Sequence, residues 1–419
     1  MLNKLKHSSF YYFIACASII IGLVFQDFHK VPLTGGIIVL GLVWLLTFDY
    51  KSKLQKLVKT PLALGFISLY LLHIISLLYS TNTSIAYNDL GLKISLALLP
   101  LFMMSTRIFS KQKKKQLLHL FVISMVAMAS YDLYQSLLEY SIDHNTQVFY
   151  YKNLPHLLVG KPHYVSWYYV FSLFICLREI LILKKNRIAW TLGLIILLVS
   201  VILLSSRAYL FAFLLIASIS SLLWLSKKEL SKLRLLKALA AFVVLIGVTI
   251  AVPNTRERIK DTFVELNKLV DSTDHRQTNP RVYIWKYSAQ LIAEKPLFGY
   301  GVGDAKEELE SSLKDCDALF WNGKMNVPLN KKSLNFHNQF LQTWAEVGVL
   351  GFLLLLFIML APFFLKNQHP LFLIFVGLTL IGFLTESMLE RQAGVVMLAF
   401  MYPLLASLNS KKEDGDSEV

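Results

Sequence analysis

The stretch NFHNQFLQTWAEVGVLGFLLLLFIMLAPFFL, residues 335–365, passes from polar residues into a long apolar run. A membrane-spanning helix needs about 20 predominantly apolar residues, so we expect residues 339–365 to form one. His337 stands at the border, and the residues before it, from 253 to 338, are the longest polar interruption of the chain. This border predicts a helical membrane protein that carries one large polar segment outside the bilayer.

The composition of the whole chain agrees with this interpretation. Hydrophobic residues make up 55% of the 419 positions, charged residues only 16%, and the mean hydropathy is +0.53. Soluble domains carry roughly 25% charged residues. We therefore predict an all-α integral membrane protein with about twelve transmembrane helices. The candidate runs are 8–25, 32–48, 61–79, 88–105, 117–139, 163–183, 188–205, 208–225, 235–252, 339–365, 370–386 and 390–408.

The distribution of Lys and Arg predicts the orientation, because positively charged loops stay in the cytoplasm. Connections around residues 51–59, 107–115, 178–187 and 227–237 are rich in basic residues. The opposite side carries only Lys30, Lys152, Lys161, Arg207 and Arg391. We expect both termini to be cytoplasmic and the polar segment to be exported to the periplasm. The net charge of +15 then lies against anionic lipid headgroups, and no nucleic-acid partner is implied.

The chain divides into four parts. Residues 1–252 carry helices 1–9, residues 253–338 form the periplasmic loop, residues 339–408 carry helices 10–12, and residues 409–419 are a cytoplasmic tail. The first apolar run has no convincing cleavage site, so we interpret it as a retained helix. Of the three cysteines only Cys316 is in the exported loop, which supports neither a disulfide nor a cysteine-based metal site.

Inside the loop, Asn279 and Pro280 predict a helix start, with Arg281 in the first turn and Trp285 on the same side. A guanidinium at a helix N-terminus suits a phosphate or diphosphate. A solvated surface arginine is an equal alternative. A second, mostly polar helix is expected from Asp304, and the glycine run GYGVG at 299–303 is interpreted as a turn leading into it.

Two other basic residues are candidates for chemistry. Arg207, in LLSSRAYLF, occupies a tight exported turn where positive charge is otherwise scarce. It could snorkel to headgroups or bind a diphosphate as a bidentate partner. His337 is expected to begin the tenth spanning helix, whose N-terminus disfavours imidazolium, so it is suited to accept a proton. Alternatively it only caps the helix, and Asn335 and Asn338 beside it could orient the ring or contact substrate.

The remaining charged residues near the exported face are interpreted more simply. Glu386, Glu390 and Arg391 either neutralise one another or line a cavity for an acceptor hydroxyl. Glu346 is too far along its helix to touch His337 and is expected to pair within the bundle, whereas Lys93 is explained by snorkelling. The triplet Asp315-Cys316-Asp317 has the form of a metal-dependent nucleotide-sugar site, but nucleotide sugars are not supplied outside the cell. We expect no metal and no cofactor.

These motifs together resemble the O-antigen ligase and polymerase-like family of bacterial polysaccharide assembly. The resemblance rests on Arg207 in SSRAYL, on NPRVYIW followed by PLFGYGVG, on HNQFLQTWAEVGVLG, and on TESMLERQ at 385–392. It implies a GT-C-like fold and the transfer of a glycan from undecaprenyl diphosphate to an acceptor hydroxyl. That acceptor is lipid A core for a ligase or a growing glycan for a polymerase.

The resemblance also implies roles for individual residues in an inverting, metal-independent reaction. His337 would be the general base, and Arg281 and Arg207 would bind the departing diphosphate. Substrate contacts are assigned to Tyr283, Trp285, Asn335, Asn338, Glu386, Glu390 and Arg391. Some relatives glycosylate proteins instead. Outside this family, a twelve-helix transporter and a structural scaffold are the competing functions; a common carrier fold places its long connection between spans six and seven, on the cytoplasmic side.

Overall fold

The computed structural model describes residues 2–106, 109–183, 186–226, 247, 256–257, 280–314, 319–321, 326–328 and 335–409. Helices occupy eleven of the twelve predicted apolar runs. The twelfth, 235–252, lies outside the described residues except for position 247, as do most of 253–279, the triplet at 315–317 and the tail after 409. The described part is therefore the bundle together with the second half of the exported segment.

Ten helices are described before the polar segment. Their bounds are α1 Leu2–Phe25, α2 Val31–Leu46, α3 Tyr50–Val58, α4 Pro61–Ile75, α5 Thr83–Lys93, α6 Ser95–Met104, α7 Lys111–Asp143, α8 Pro162–Arg178, α9 Arg187–Leu204 and α10 Arg207–Ser226. A π-helical turn, Glu179–Leu183, extends α8, and short 3-10 turns occupy Ser76–Leu78 and Thr146–Phe149.

Five helices are described from residue 280 onward. They are α11 Pro280–Glu294, α12 Ala305–Ser312, α13 Gln339–Phe364, α14 Pro370–Thr385 and α15 Gln392–Ala406, with 3-10 turns at Met388–Glu390 and Ser407–Asn409. The two helices predicted inside the exported segment are thus present as α11 and α12.

The described part of the chain is almost entirely helical, as predicted, and the polar segment adds one short antiparallel hairpin. Strand β1, Leu319–Trp321, pairs with β2, Asn326–Pro328, in the register Phe320 opposite Val327. Aromatic and β-branched residues favour strands. The Asn322-Gly323 pair between them in the sequence is a common turn signal.

Six described helices or helix pairs are long and apolar enough to cross a membrane, and a seventh results if α2 and α3, bent by 113°, count as one span. Four shorter apolar helices lie at Ser9–Phe25, Arg207–Ser220, Pro370–Thr385 and Gln392–Ala406. This supports an integral membrane protein. The number twelve stays a prediction.

The centre of the bundle is formed by α8 and α15, whose side chains are buried almost throughout. Trp167 of α8 stacks on Phe375 of α14, with ring centroids 5.5 Å apart. The starts of α8 and α15 are close together, since Tyr168 donates a hydrogen bond to the carbonyl of Ala393. The residues just before these helices therefore meet at one end of the bundle.

Helix α13 is broken in its first third. Val347 has φ −130° and Gly348 has φ 73°, outside the helical region. The amide of Val349 donates to the carbonyl of Pro296 at 3.0 Å. A Cβ at position 348 would lie 1.9 Å from the carbonyl oxygen of Leu297. The positive φ and this close approach together require glycine.

The glycine turn at 299–303 is seated in this break. The amides of Tyr300 and Gly301 donate to the carbonyls of Ala345 and Glu346 at 2.8 and 2.9 Å. Helix breaks leave carbonyls without their partner four residues on, and the turn supplies replacement donors. The turn predicted for this glycine run is thus present, and it docks on the break of α13.

The start of α12 fastens the same region to α5. Asp304, which begins α12 as predicted, accepts hydrogen bonds from the amides of Thr81 at 2.7 Å and Asn82 at 2.8 Å. Because these contacts join residues more than 220 positions apart, they hold the exported segment on the bundle at the end where α5 begins.

Candidate active site

His337 is in the loop just before α13. The helix itself begins at Gln339, because the side chain of Asn338 accepts hydrogen bonds from the amides of Phe340 and Leu341 at 2.9 and 3.1 Å. His337 is therefore not the first helical residue, and its φ of 46° turns the chain ahead of the cap. Its side chain keeps 30% of its surface exposed, which leaves the ring accessible.

The partner of His337 is Glu386, the residue after α14. Imidazole Nδ1 is 3.0 Å from Glu386 Oε2 and 3.1 Å from Oε1, while the carboxyl side chain is only 12% exposed. Burial alone would raise the pKa of Glu386. The hydrogen bond and charge of His337, with His163 and Asn335, instead lower that pKa to about 2. Because an ionised carboxylate only accepts, Nδ1 carries the hydrogen and Nε2 is the acceptor of the neutral ring.

Asn335 links this pair to a second carboxylate. Its Nδ2 donates to Glu386 Oε1 and to Glu390 Oε2, each at 3.0 Å, and its Oδ1 accepts from the amide of His337 at 3.1 Å. Burial raises the pKa of Glu390, with Lys306 and Asn335 opposing it. Two neighbouring carboxyl groups thus have pKa values moved in opposite directions, which is typical of acid–base sites.

Arg281 lies at the same site, in the first turn of α11 as predicted. Its Nη2 is 3.8 Å from Glu386 Oε2, and its side chain is 30% exposed. The distance is that of a loose ion pair, and the side chain is partly accessible. One buried carboxylate therefore lies between a histidine and an arginine that are 56 positions apart in the sequence.

Arg207 is the first residue of α10, on the turn that follows α9. Ser206 before it is 3.3 Å, through its hydroxyl, from Nδ1 of His163, and the charge of His163 is one of the causes that lower the pKa of Glu386. This turn therefore borders the His337–Glu386 pair. His163 was not among the site residues predicted from the sequence. Its position after Pro162, at the start of α8, was the available signal.

An apolar groove opens beside the site. It has a volume of about 410 Å³, and its lining includes Trp285 of α11 and the cap residue Asn338. The walls come from α11, α13 and α14. Its lining residues are Trp285, Asn338, Phe340, Leu341, Phe352, Leu356, Leu380 and Leu384.

The other predicted contacts are placed differently. Tyr283 packs against the small core formed by α11, α12 and the start of α13. Asn338 is occupied as a helix cap. Arg391 is exposed, and its carbonyl accepts from Gly394 and Val395 at the start of α15. Among the described residues no three His, Cys, Asp or Glu side chains are grouped to hold a metal ion.

A second charged cluster lies deeper on α13, and it corrects the interpretation of Lys93. The Lys93 side chain is fully buried and does not snorkel; its Nζ lies 2.7 Å from Glu346 Oε2 and 2.8 Å from Asp89 Oδ2. His73 Nε2 is 3.4 Å from the same glutamate oxygen. Glu346 pairs within the bundle, as predicted. Snorkelling was wrong because two carboxylates surround the ammonium group inside the protein.

Gln342 connects the two clusters. Its Nε2 is 2.6 Å from Glu346 Oε1 and 3.1 Å from Glu390 Oε1, and the residue is 2% exposed. One turn of α13 separates Gln342 from Glu346. The sequence reasoning did not single out Gln342, although its spacing four residues before an intramembrane glutamate was visible.

Comparison with known proteins gives a family for part of the chain. Residues 192–356 match the family model described as O-antigen ligase. This stretch contains Arg207, Arg281 and His337, the three residues on which the resemblance rested. The resemblance to the O-antigen ligase family is therefore confirmed.

Similar curated proteins cover short stretches. A Rickettsia conorii protein with the provisional name polysaccharide ligase is 36% identical over 87 residues, 21% of this chain and 19% of its own length. A Rickettsia bellii protein of the same provisional name is 35% identical over 95 residues, 23% of this chain and 21% of its own. An uncharacterised Haemophilus influenzae protein is 26% identical over 158 residues, 35% and 36% of the two chains. The chain thus spans about a fifth to a third of these relatives.

Proposed function

Because the chain resembles the O-antigen ligase family, we propose that it is a glycosyltransferase acting at the exported face of the bacterial inner membrane. It moves a glycan from undecaprenyl diphosphate to an acceptor hydroxyl. The observation that carries the proposal is the contact of His337 Nδ1 with the buried Glu386, 3.0 Å away, with Arg281 beside the same carboxylate. A base and a cation are what such a transfer requires.

His337 is the general base. Its Nε2 accepts the proton of the acceptor hydroxyl as that oxygen attacks the anomeric carbon, and the bond from this carbon to the diphosphate oxygen breaks. The configuration inverts because there is a single displacement. Glu386 holds the tautomer and stabilises the imidazolium that forms, as a carboxylate behind a histidine does in other enzymes.

Arg281 and Arg207 bind the diphosphate. Negative charge accumulates on the leaving oxygen, and positioned guanidinium groups stabilise it in the transition state. Arg281 Nη2 is 3.8 Å from Glu386 Oε2, so an incoming diphosphate competes with this carboxylate for the guanidinium. The two arginines supply the positive charge, so the mechanism we propose uses no metal and no cofactor.

The apolar groove supports a lipid-linked donor. Its wall is apolar along α13 and α14, and its end at Trp285 and Asn338 adjoins His337. An isoprenoid chain that lies in the groove would place its diphosphate near Arg281. A soluble nucleotide-sugar donor has no long apolar chain that such a wall could bind.

The proposal extends to the acceptor and to the topology. We assign the protein as a ligase whose acceptor is lipid A core, with Tyr283, Asn335, Glu390 and Arg391 lining the approach. Both termini are cytoplasmic, residues 253–338 are periplasmic, and residues 1–252 and 339–408 hold the spans. A polymerase that extends a glycan is the alternative within the same family.

A gel of the cell's lipopolysaccharide tests this function. The gene is deleted, and strains are complemented with wild type, His337→Ala or His144→Ala. We expect core without glycan in the deletion and His337→Ala strains, with polymer stranded on the lipid carrier. Core capped by a single repeat unit would show a polymerase instead.

His144 is a matched control, because it is exposed, lies at the end of α7 and has φ 50°, close to the 46° of His337. Full assembly by a stably expressed His337→Ala protein would contradict the general-base role. Transport of a glycan carrier that survives the loss of both His337 and Arg281 would favour the transporter class.

A further inference from the structure

We propose that Gln342 is a positioning residue, which couples the buried Lys93–Glu346 pair to the His337–Glu386 pair and thereby sets the rate of the transfer. The proposal rests on the function proposed above. It concerns residues that do not touch substrate and that no motif of the sequence assigned to the reaction.

The hydrogen bonds form one continuous chain. From the exported end, His337 contacts Glu386, Asn335 bridges Glu386 to Glu390, and Glu390 accepts from Gln342 at 3.1 Å. Gln342 then donates to Glu346 at 2.6 Å, and Glu346 accepts from Lys93 at 2.7 Å. Every link is within ordinary hydrogen-bond distance.

The chain of hydrogen bonds joins four separate elements of the fold. The loop before α13, the turn after α14, α13 itself and α5 each contribute a member. Gln342 and Glu346 are 2% and 4% exposed, and Lys93 is fully buried. Hydrogen bonds to charged groups are stronger than neutral ones, so these bonds restrain the side chains that they join, while Gln342 Oε1 has no hydrogen-bond partner among the described residues. The far end is fixed by an ion pair, so movement of Glu390 and Asn335 is restrained from inside the bundle.

Gln342 is suited to this role by its chemistry. A primary amide nitrogen has two hydrogens, and Gln342 Nε2 faces one carboxylate on each side. It therefore separates two like charges that would otherwise repel. An apolar side chain of equal length removes both bonds and leaves Glu390 free to rotate away from Asn335, which loosens Glu386 behind His337.

The test uses purified protein in liposomes, with lipid-linked glycan extracted from the deletion strain as donor and that strain's lipopolysaccharide as acceptor. In Gln342→Met the chain is broken while the Lys93–Glu346 pair is kept. We expect kcat to fall at least about tenfold, while KM for the donor changes less than about twofold. Thr379→Val is the control, because Thr379 is also buried but bonds only to the Phe375 carbonyl of its own helix.

A second variant removes the far end of the chain. Lys93→Met combined with Glu346→Leu and Asp89→Asn removes the cation together with both carboxylates that it contacts, so none of the three is left as an unpaired charge, and we expect the same loss of kcat. Combining it with Gln342→Met should add little, since members of one network are not additive. If Gln342→Met does not fold, the kcat of this variant tests whether the buried cluster affects the transfer rate.

Each outcome is decisive. Turnover within twofold of wild type in folded Gln342→Met, or losses that multiply in the combined variant, would overturn the positioning role while leaving the proposed function intact. Equal activity of His337→Ala and wild type would overturn both. A tenfold loss of kcat with unchanged KM and no further loss in the combined variant supports it.

Discussion

Two clusters of charged side chains lie along the first third of α13, and they differ in how far their side chains are exposed. At the start of α13, His337 and Arg281 each expose 30% of their side chains around one carboxylate. Deeper along the helix, Glu346 of α13 and Lys93 of α5 expose 6% and 0% of theirs. The first cluster can exchange partners with a substrate, whereas the second has no access to one. Charged side chains in a membrane bundle therefore indicate a reacting site only where a substrate can reach them.

The largest expected effect is a loss of transfer rate when the accessible cluster loses His337. His337→Ala should reduce the transfer rate by roughly 10²- to 10⁴-fold, because a general base is lost. The protein should stay folded at the assay temperature but melt below His144→Ala, since both positions have left-handed backbone while only His337 has a hydrogen bond to the buried Glu386. The rate is measured in liposomes and the melting by intrinsic fluorescence. A transfer rate within tenfold of wild type would contradict the assignment of the accessible cluster as the reacting site.

The next effect concerns the buried cluster and is one of stability. Lys93→Met leaves Glu346 and Asp89 buried without their common cation. Breaking a buried pair by removing one partner costs about 3–5 kcal/mol. We expect a large fall in unfolding free energy in detergent, measured by denaturant titration. Adding Glu346→Leu and Asp89→Asn to Lys93→Met should recover most of this loss, because both carboxylates are then removed as well. No recovery would mean that the unpaired carboxylates are not the cause.

The outcome for Lys93 shows what a single sequence could not supply. Local signals were sufficient for α11, because Asn279 and Pro280 mark its start, and for α12, because Asp304 precedes a polar helical run. Lys93 was interpreted as snorkelling since nothing near it reveals Glu346, which is 253 residues away.

The same limit applies to Glu386 and Asn338. Glu386 was assigned to substrate, but its contact with His337 depends on how α13 and α14 pack. Asn338 was assigned to substrate too, although a cap can be predicted from asparagine before a helix. Residue types at the site could therefore be predicted, whereas their pairing depends on contacts between distant segments.

A smaller effect is expected at the break in α13, between the buried cluster and the glycine turn. Gly348→Ala places a side chain at φ 73° and against the carbonyl of Leu297. Strain of this kind costs roughly 1–3 kcal/mol. Gly35→Ala is the control, because a Cβ there meets nothing within 4 Å. Equal unfolding free energies of the two variants would contradict the requirement for glycine.

The smallest expected effect is the change in the free energy of unfolding with pH that comes from Glu386 in the accessible cluster. The pKa of Glu386 is lowered to about 2 in the folded protein, so its ionised form stabilises the fold at neutral pH. This stability is present above the unfolded pKa of about 4.3 and is lost as the pH falls towards 2. Between pH 7 and pH 4 the loss should stay below about 1 kcal/mol.

Glu386→Gln cannot titrate at this position, so its unfolding free energy should fall less than that of wild type over the same pH interval. The comparison is made by denaturant titration at pH 7, 5 and 4. Identical pH dependence of the two proteins would mean that His337 and Asn335 do not hold Glu386 in its ionised form. The carboxylate would then not fix the tautomer on which the proton transfer depends.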